Sequence, residues 1–206
     1  MDLTFIISAF VTLFVIIDPI GMAPLFLALT QDNTQSERHA IGLRACVLAF
    51  GILTLFGLAG EAVLNFVGIS FPAFRIAGGI LLFLTALDML FERRTQRRDQ
   101  QAGEETRADP SVFPLAIPLI AGPGAITTMI LLVGQSRGLD QQIGVFVAMT
   151  LVLGVVAALY RASGLLERVL GRTGTVVATR LLGMLLAALS VQFVLDGLRG
   201  AGLMAL

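Results

Sequence analysis

The chain has no lysine and no tryptophan, and only one cysteine, one histidine and one tyrosine among 206 residues. Each shortage closes a class of function. Without lysine there is no Schiff-base nucleophile and no phosphate-binding loop of the Gly-Lys-Ser/Thr type. A lone cysteine, Cys46, excludes an internal disulfide framework and a Cys-x-x-Cys redox pair. A lone histidine, His39, argues against a histidine-built metal site. No cofactor motif stands out. Charge is scarce as well: 14% of residues, with 14 basic against 14 acidic and a net charge of +0, where soluble domains carry about 25%. So even a balance offers nucleic acid no basic face. What remains is apolar: 56% of residues are hydrophobic and the mean hydropathy is +0.90. The composition is that of an all-α polytopic membrane protein whose first partner is the lipid bilayer.

A helical span needs roughly 20 apolar residues to cross about 30 Å of hydrocarbon. Six stretches qualify: Leu3–Leu29, Ala40–Leu64, Phe71–Phe91, Val112–Val133, Ile143–Ala162 and Thr179–Leu198. The first lacks a basic leader and a small-residue cleavage site, so it reads as a retained span rather than a signal peptide. A polar segment, 92–111, carries Arg93, Arg94, Arg97, Arg98 and Arg107 and separates three spans (1–91) from three spans (112–206). With the N-terminus outside, eleven arginines fall on the inner side and three, Arg75, Arg137 and Arg199, on the outer. The positive-inside bias therefore predicts a cytoplasmic linker and both termini periplasmic.

The halves read as a duplication. A shift of 104 positions sets Pro19 on Pro123; a shift of 105 sets Arg75 on Arg180, Gly78 on Gly183 and Thr85 on Ser190. With three spans per unit, the second copy crosses the bilayer in the opposite sense, which predicts two inverted three-helix repeats. The first and fourth spans each carry helix breakers near mid-length. Asp18-Pro19-Ile20-Gly21-Met22-Ala23-Pro24 interrupts one; Pro114, Pro118 and Gly122-Pro123-Gly124, followed by Thr127-Thr128, interrupt the other. Proline costs about 3 kcal/mol in a helix interior. Opened backbone survives at membrane depth only where protein or a wet cavity covers it. Two breaks at matching places are the sequence pointer to a midplane substrate site.

Asp18 is the one ionisable group near the middle of a span. Its two readings are a functional carboxylate, coupling a proton or binding a substrate ammonium, and a cap for the helix restarting at Pro19. The Gly122–Gly124 turn offers bare amides to a substrate carboxylate. Thr127 and Thr128 either add hydroxyls or bond their own helix backbone. Elsewhere, Glu61 and Arg75 toward the outer face, and Arg44, Asp88 and Glu92 toward the inner face, are expected to form structural ion pairs or gates. Glycines at Gly51, Gly57, Gly60 and Gly78-Gly79 suit close helix packing, within the chain or across a homo-oligomer seam.

The stretches DPIGMAPLFLALT and PLAIPLIAGPGAITTMILL resemble the two signature segments of the MarC family of bacterial inner-membrane proteins, and the resemblance covers essentially the whole chain. The family is similar to SnatA-type and LysE-type amino-acid transporters. The resemblance implies a site at Asp18, Pro19, Gly21 and Pro24 and at Gly122, Pro123, Gly124, Thr127 and Thr128. It also implies transport of small neutral amino acids or similar metabolites. The leading expectation is thus a secondary transporter working by alternating access, with a proton or sodium as coupling ion. The alternatives are a channel or a lipid-carrier flippase, which would need basic residues near the midplane. A membrane enzyme would need convergent acid, base or nucleophile groups, and only Asp18 sits at that depth.

Overall fold

The computed structural model describes residues 3–91 and 109–203, and among them there are helices and turns but no strand. The elements in order are α1 (Leu3–Ile17), α2 (Pro19–Leu29), α3 (Gln35–Val67), α4 (Phe71–Leu90), α5 (Ser111–Ile120), α6 (Pro123–Gly134), α7 (Leu139–Arg161) and α8 (Ser163–Gly200). Five stretches are long and apolar enough to cross a bilayer: Leu3–Leu29, Gln35–Val67, Phe71–Leu90, Leu139–Arg161 and Thr173–Gly200. A sixth results when α5 and α6, bent by 55° at their junction, are counted together. Most of the linker expected at 92–111 lies outside the described residues, and so does Glu92.

Local chemistry sets where these helices start and stop. α3 begins earlier than its apolar run because Thr34 and Glu37 form a reciprocal cap. The Thr34 amide donates to Glu37 Oε2 at 2.7 Å and the Glu37 amide to Thr34 Oγ1 at 3.4 Å. It ends at Gly68, whose φ of 81° an L side chain rarely adopts. At 33 residues α3 is about 50 Å long, some 20 Å more than the hydrocarbon requires. α4 starts on Ser70, whose hydroxyl accepts from the Ala73 amide, with Pro72 in the first turn. α8 turns at Gly171 (φ 58°), which sets its first two turns apart from the span beginning at Thr173.

The halves interlock rather than forming separate cores. α4 lies along α8, α1 packs on α7, α3 on α5, α6 and α7, and α2 on α8 and α7; α3 and α4, consecutive in sequence, barely touch. Small residues let the α4–α8 pair close. A Cβ on Gly79 would lie 2.7 Å from the Ser190 carbonyl oxygen, and one on Gly197 would lie 3.0 Å from that of Pro72. Inside, Leu13, Ile17, Met22, Phe26, Leu53 and Met149 are fully buried. Outside, Leu43, Leu55, Leu58, Ile80, Leu151 and Leu185 are each more than half exposed. In water, leaving one such side chain exposed forfeits about 1.5–3 kcal/mol. Lipid removes that penalty, so this apolar exterior has a bilayer as its solvent.

Candidate functional site

The interruption of the first span is a single residue. Asp18 stands between α1 and α2 in the left-handed region (φ 57°, ψ 63°), a conformation that Asp tolerates better than most side chains. The backbone ladder bridges it: the Asp18 amide donates to the Phe14 carbonyl at 3.0 Å and the Met22 amide to the Asp18 carbonyl at 3.1 Å. Two prolines and a glycine imply wider unwinding. Pro19, however, occupies the first helical position, where its missing N–H costs nothing, and α2 absorbs Pro24 in its interior without a break. Asp18 is the cap: Oδ1 accepts from the Gly21 amide at 3.1 Å, and the residue is fully buried. The capping half of its two readings is therefore met.

The second interruption is larger. In α5, Phe113 and Ile117 are extended (φ −128° and −127°) because each precedes a proline, which pushes its neighbour out of the helical region. The chain then bends by 55° into α6. Pro123 again takes the first helical position, and Gly122 at the cap supplies no side chain to the first amides of α6. Pro19 and Pro123 thus hold the same place at the starts of α2 and α6, one behind a carboxylate and the other behind a bare glycine.

The end of α1 touches the start of α6. A Cβ on Gly124 would lie 3.4 Å from Ile16 Cγ2, two residues before Asp18, and 3.2 Å from Leu82. A Cβ on Gly21 would strike the Asp18 carboxylate and lie 2.8 Å from Thr179 Oγ1. Only glycine lets the carboxylate and α8 approach α2 this closely. Thr179 was not singled out from the sequence, since one threonine in an apolar helix carries no visible signal. Its position beside Asp18 is set by α8 packing on α2.

The threonines sort by what their hydroxyls do. Thr30, Thr85, Thr150 and Thr175 donate to the carbonyl four residues back, at 2.7–3.0 Å. Thr54, Thr128 and Thr179 do not: their Oγ1 atoms are buried without a hydrogen-bond partner among the described residues. Such groups are uncommon and call for an explanation, a ligand or water among them. Thr127 turns its methyl against Gly78 of α4, which is packing. Pro24 is half-buried and Pro123 exposed.

The expected ion pairs are not the ones formed. No ion pair joins Glu61 to Arg75. Glu61 is exposed on α3, while α4 packs on α8, so Arg75 has Asp196 as its electrostatic partner and the Phe71 ring 5.5 Å from its guanidinium carbon. Asp196 also pairs with Arg199 at 3.5 Å. Arg44 does not reach Asp88; it pairs with Asp109 at 2.7 Å. Asp109 lies outside the spans, and its carboxyl is held below the ordinary range by the Ser111 hydroxyl first, then the Ser111 amide and Arg44. No group of His, Cys, Asp and Glu among the described residues is arranged to hold a metal ion.

A bundle of five or six long apolar helices with an apolar exterior defines an integral membrane protein. The chain belongs to the MarC family: residues 3–202 match the family described as "MarC family integral membrane protein". It is 40% identical over 196 residues to a UPF0056 membrane protein of Aquifex aeolicus, covering 94% of this chain and 92% of that one. It is 35% identical over 204 residues to UPF0056 membrane protein YvbG of Bacillus subtilis, covering 97% of each. With UPF0056 membrane protein YhcE of Escherichia coli it shares 36% identity over 194 residues, covering 93% of this chain and 90% of that one. Archaeal membrane proteins match over similar lengths. No solved structure matches the chain.

Proposed function

We propose that this protein is a secondary transporter of small neutral amino acids or similar small zwitterions, not an enzyme. It works by alternating access between two inverted three-helix repeats in an inner membrane, with both termini periplasmic. The observation that carries this reading is the contact of the end of α1 with the start of α6, two residues from the buried Asp18 and its neighbour Thr179. Asp18 and Thr179 lie on one side, and the uncapped start of α6 on the other. On this reading Asp18 faces the substrate ammonium and is the site of proton or sodium coupling. The first amides of α6, at the positive end of that helix, take the carboxylate. The pairing of elements supports the duplication: α1 packs on α7 as α5 packs on α3, and α4 lies against α8. Transport would rock one unit against the other around this fixed point.

The test is counterflow in proteoliposomes across a panel of amino acids, with a pH or sodium gradient imposed in turn. Saturable exchange of one class of small zwitterion supports the proposal. Continuous conductance without exchange replaces it with a channel, and movement of a lipid-linked substrate replaces it with a flippase. A reporter fused to the C-terminus should read as periplasmic; a cytoplasmic signal would reverse the orientation.

A further inference from the structure

A cavity lies at the end of the bundle where α3 begins and α7 ends. It measures about 360 Å³, and its lining includes Arg38, His39 and Arg161 over apolar walls from Leu43, Ala157 and Tyr160. None of the described residues lining it is acidic. Arg38 is held in place, its Nε donating to the Thr30 carbonyl at 2.7 Å and its Nη2 to the Gln31 carbonyl at 2.9 Å. Arg161 Nη1 stands 3.4 Å from His39 Nδ1. Basic groups on two helices thus converge with no carboxylate of the described residues between them. Nothing in apolar packing calls for that arrangement, and an anion would satisfy it.

We propose that this cavity binds a phosphate group, carried by the headgroup of an anionic phospholipid. Two features favour a lipid over a soluble ester. The cavity sits on the end of the bundle where the arginine bias places the inner membrane surface, which is where basic pockets between spanning helices take anionic headgroups. Its walls also offer apolar surface beneath the cations, which suits a glycerol backbone and the first methylenes of an acyl chain. Tyr160, on one wall, stacks on Phe26 of α2 with ring centroids 4.2 Å apart and planes 6° apart. A headgroup wedged between α3 and α7 therefore also bears on α2, the helix capped by Asp18.

The experiment uses the full chain in a neutral detergent, titrated separately with phosphatidylglycerol, phosphatidylcholine and inorganic phosphate. Thermal stability gives the apparent affinity, and native mass spectrometry counts retained lipid. Phosphatidylglycerol should stabilise saturably and phosphatidylcholine should not. Arg161→Gln, at an exposed position where folding is not at stake, should weaken the apparent affinity about tenfold, the loss of one charge-assisted hydrogen bond. Arg137→Gln, at an exposed arginine outside the cavity, should change nothing. Stabilisation by inorganic phosphate that Arg161→Gln abolishes, without a response to phosphatidylglycerol, keeps the phosphate site but overturns the lipid as its source. Equal responses of wild type, Arg161→Gln and His39→Gln, or binding of phosphatidylcholine as tight as that of phosphatidylglycerol, overturn the site.

Discussion

Asp18 holds two jobs that substitution separates. As a cap it needs a short side chain with an oxygen acceptor and tolerance of the left-handed backbone; as a coupling or ammonium-binding group it needs charge. Asn keeps the first set and loses the second, whereas Ala loses both. At φ 57° an alanine pays about 1–2 kcal/mol for its Cβ. Loss of the bond from the Gly21 amide adds about 1 kcal/mol. Asp18→Ala should therefore be destabilised by about 2–3 kcal/mol relative to Asp18→Asn. For a chain of this size that is roughly 5–10 °C in melting temperature. Both variants should lose counterflow in proteoliposomes. Thermal unfolding in detergent and initial counterflow rates are the paired readouts. Equal melting of Asn and Ala refutes the capping account, and wild-type counterflow by Asp18→Asn removes the charge from the mechanism.

Two of the three orphaned threonine hydroxyls, those of Thr128 and Thr179, make a second test. Thr179→Val and Thr128→Val remove buried groups that spend no hydrogen bond within the protein, so melting temperatures should hold or rise while counterflow falls; unchanged counterflow would make both residues mere filler. In the α4–α8 seam, Gly79→Ala puts a methyl 2.7 Å from the Ser190 carbonyl oxygen and should cost about 1–3 kcal/mol. Gly51→Ala, with nothing within 4 Å of the new Cβ, should instead gain up to about 1 kcal/mol from helix propensity; melting curves that fail to separate the two would contradict the seam. Asp109 gives a pH dependence. Its carboxyl titrates below the ordinary 3.8 in the folded protein, so its contribution is complete above that value and lost as pH falls through the lowered native one. Asp109→Asn should flatten the acid limb of a stability profile. Arg44→Gln should move it less, because the Ser111 bonds dominate and the pair is exposed (57% and 40%).

The spans were legible because hydropathy acts along the chain: Leu3–Leu29 has the limits the apolar run predicts, and α4 begins at Phe71 as expected. The places of Asp18 and Pro123 at helix starts were legible too, from proline at the first helical position. Azimuth was not. Pairing Glu61 with Arg75 assumed that consecutive helices are neighbours, but α4 leaves α3 for α8, and Arg75 goes with it to Asp196. Arg44 found its acid 65 positions away, at Asp109, inside the stretch that composition assigned to the linker. Thr34 and Glu37 did carry a signal, a threonine three residues before a glutamate, but the apolar run beginning at Ala40 drew the boundary inward. Thr179 carried none: its meaning comes from Gly21, whose missing side chain is visible only once α8 lies against α2.

The difference between the two breaks matters more than their likeness. A pair of identical starts would offer a ligand the same chemistry twice, which suits a symmetric ion better than a zwitterion. Here α2 spends its cap internally, its Gly21 amide already taken by Asp18, so that end presents carboxylate rather than open amides. α6 has the same proline in the same position but a glycine where the acid would be, so its first amides receive no side chain. One helix start is thus anionic and the other positive, and the end of α1 touches the start of α6 through Ile16 and Gly124. On the proposed reading this polarity selects a small molecule with an ammonium at one end and a carboxylate at the other. On the same reading the carboxylate of Asp18 takes the coupling cation when the substrate ammonium leaves.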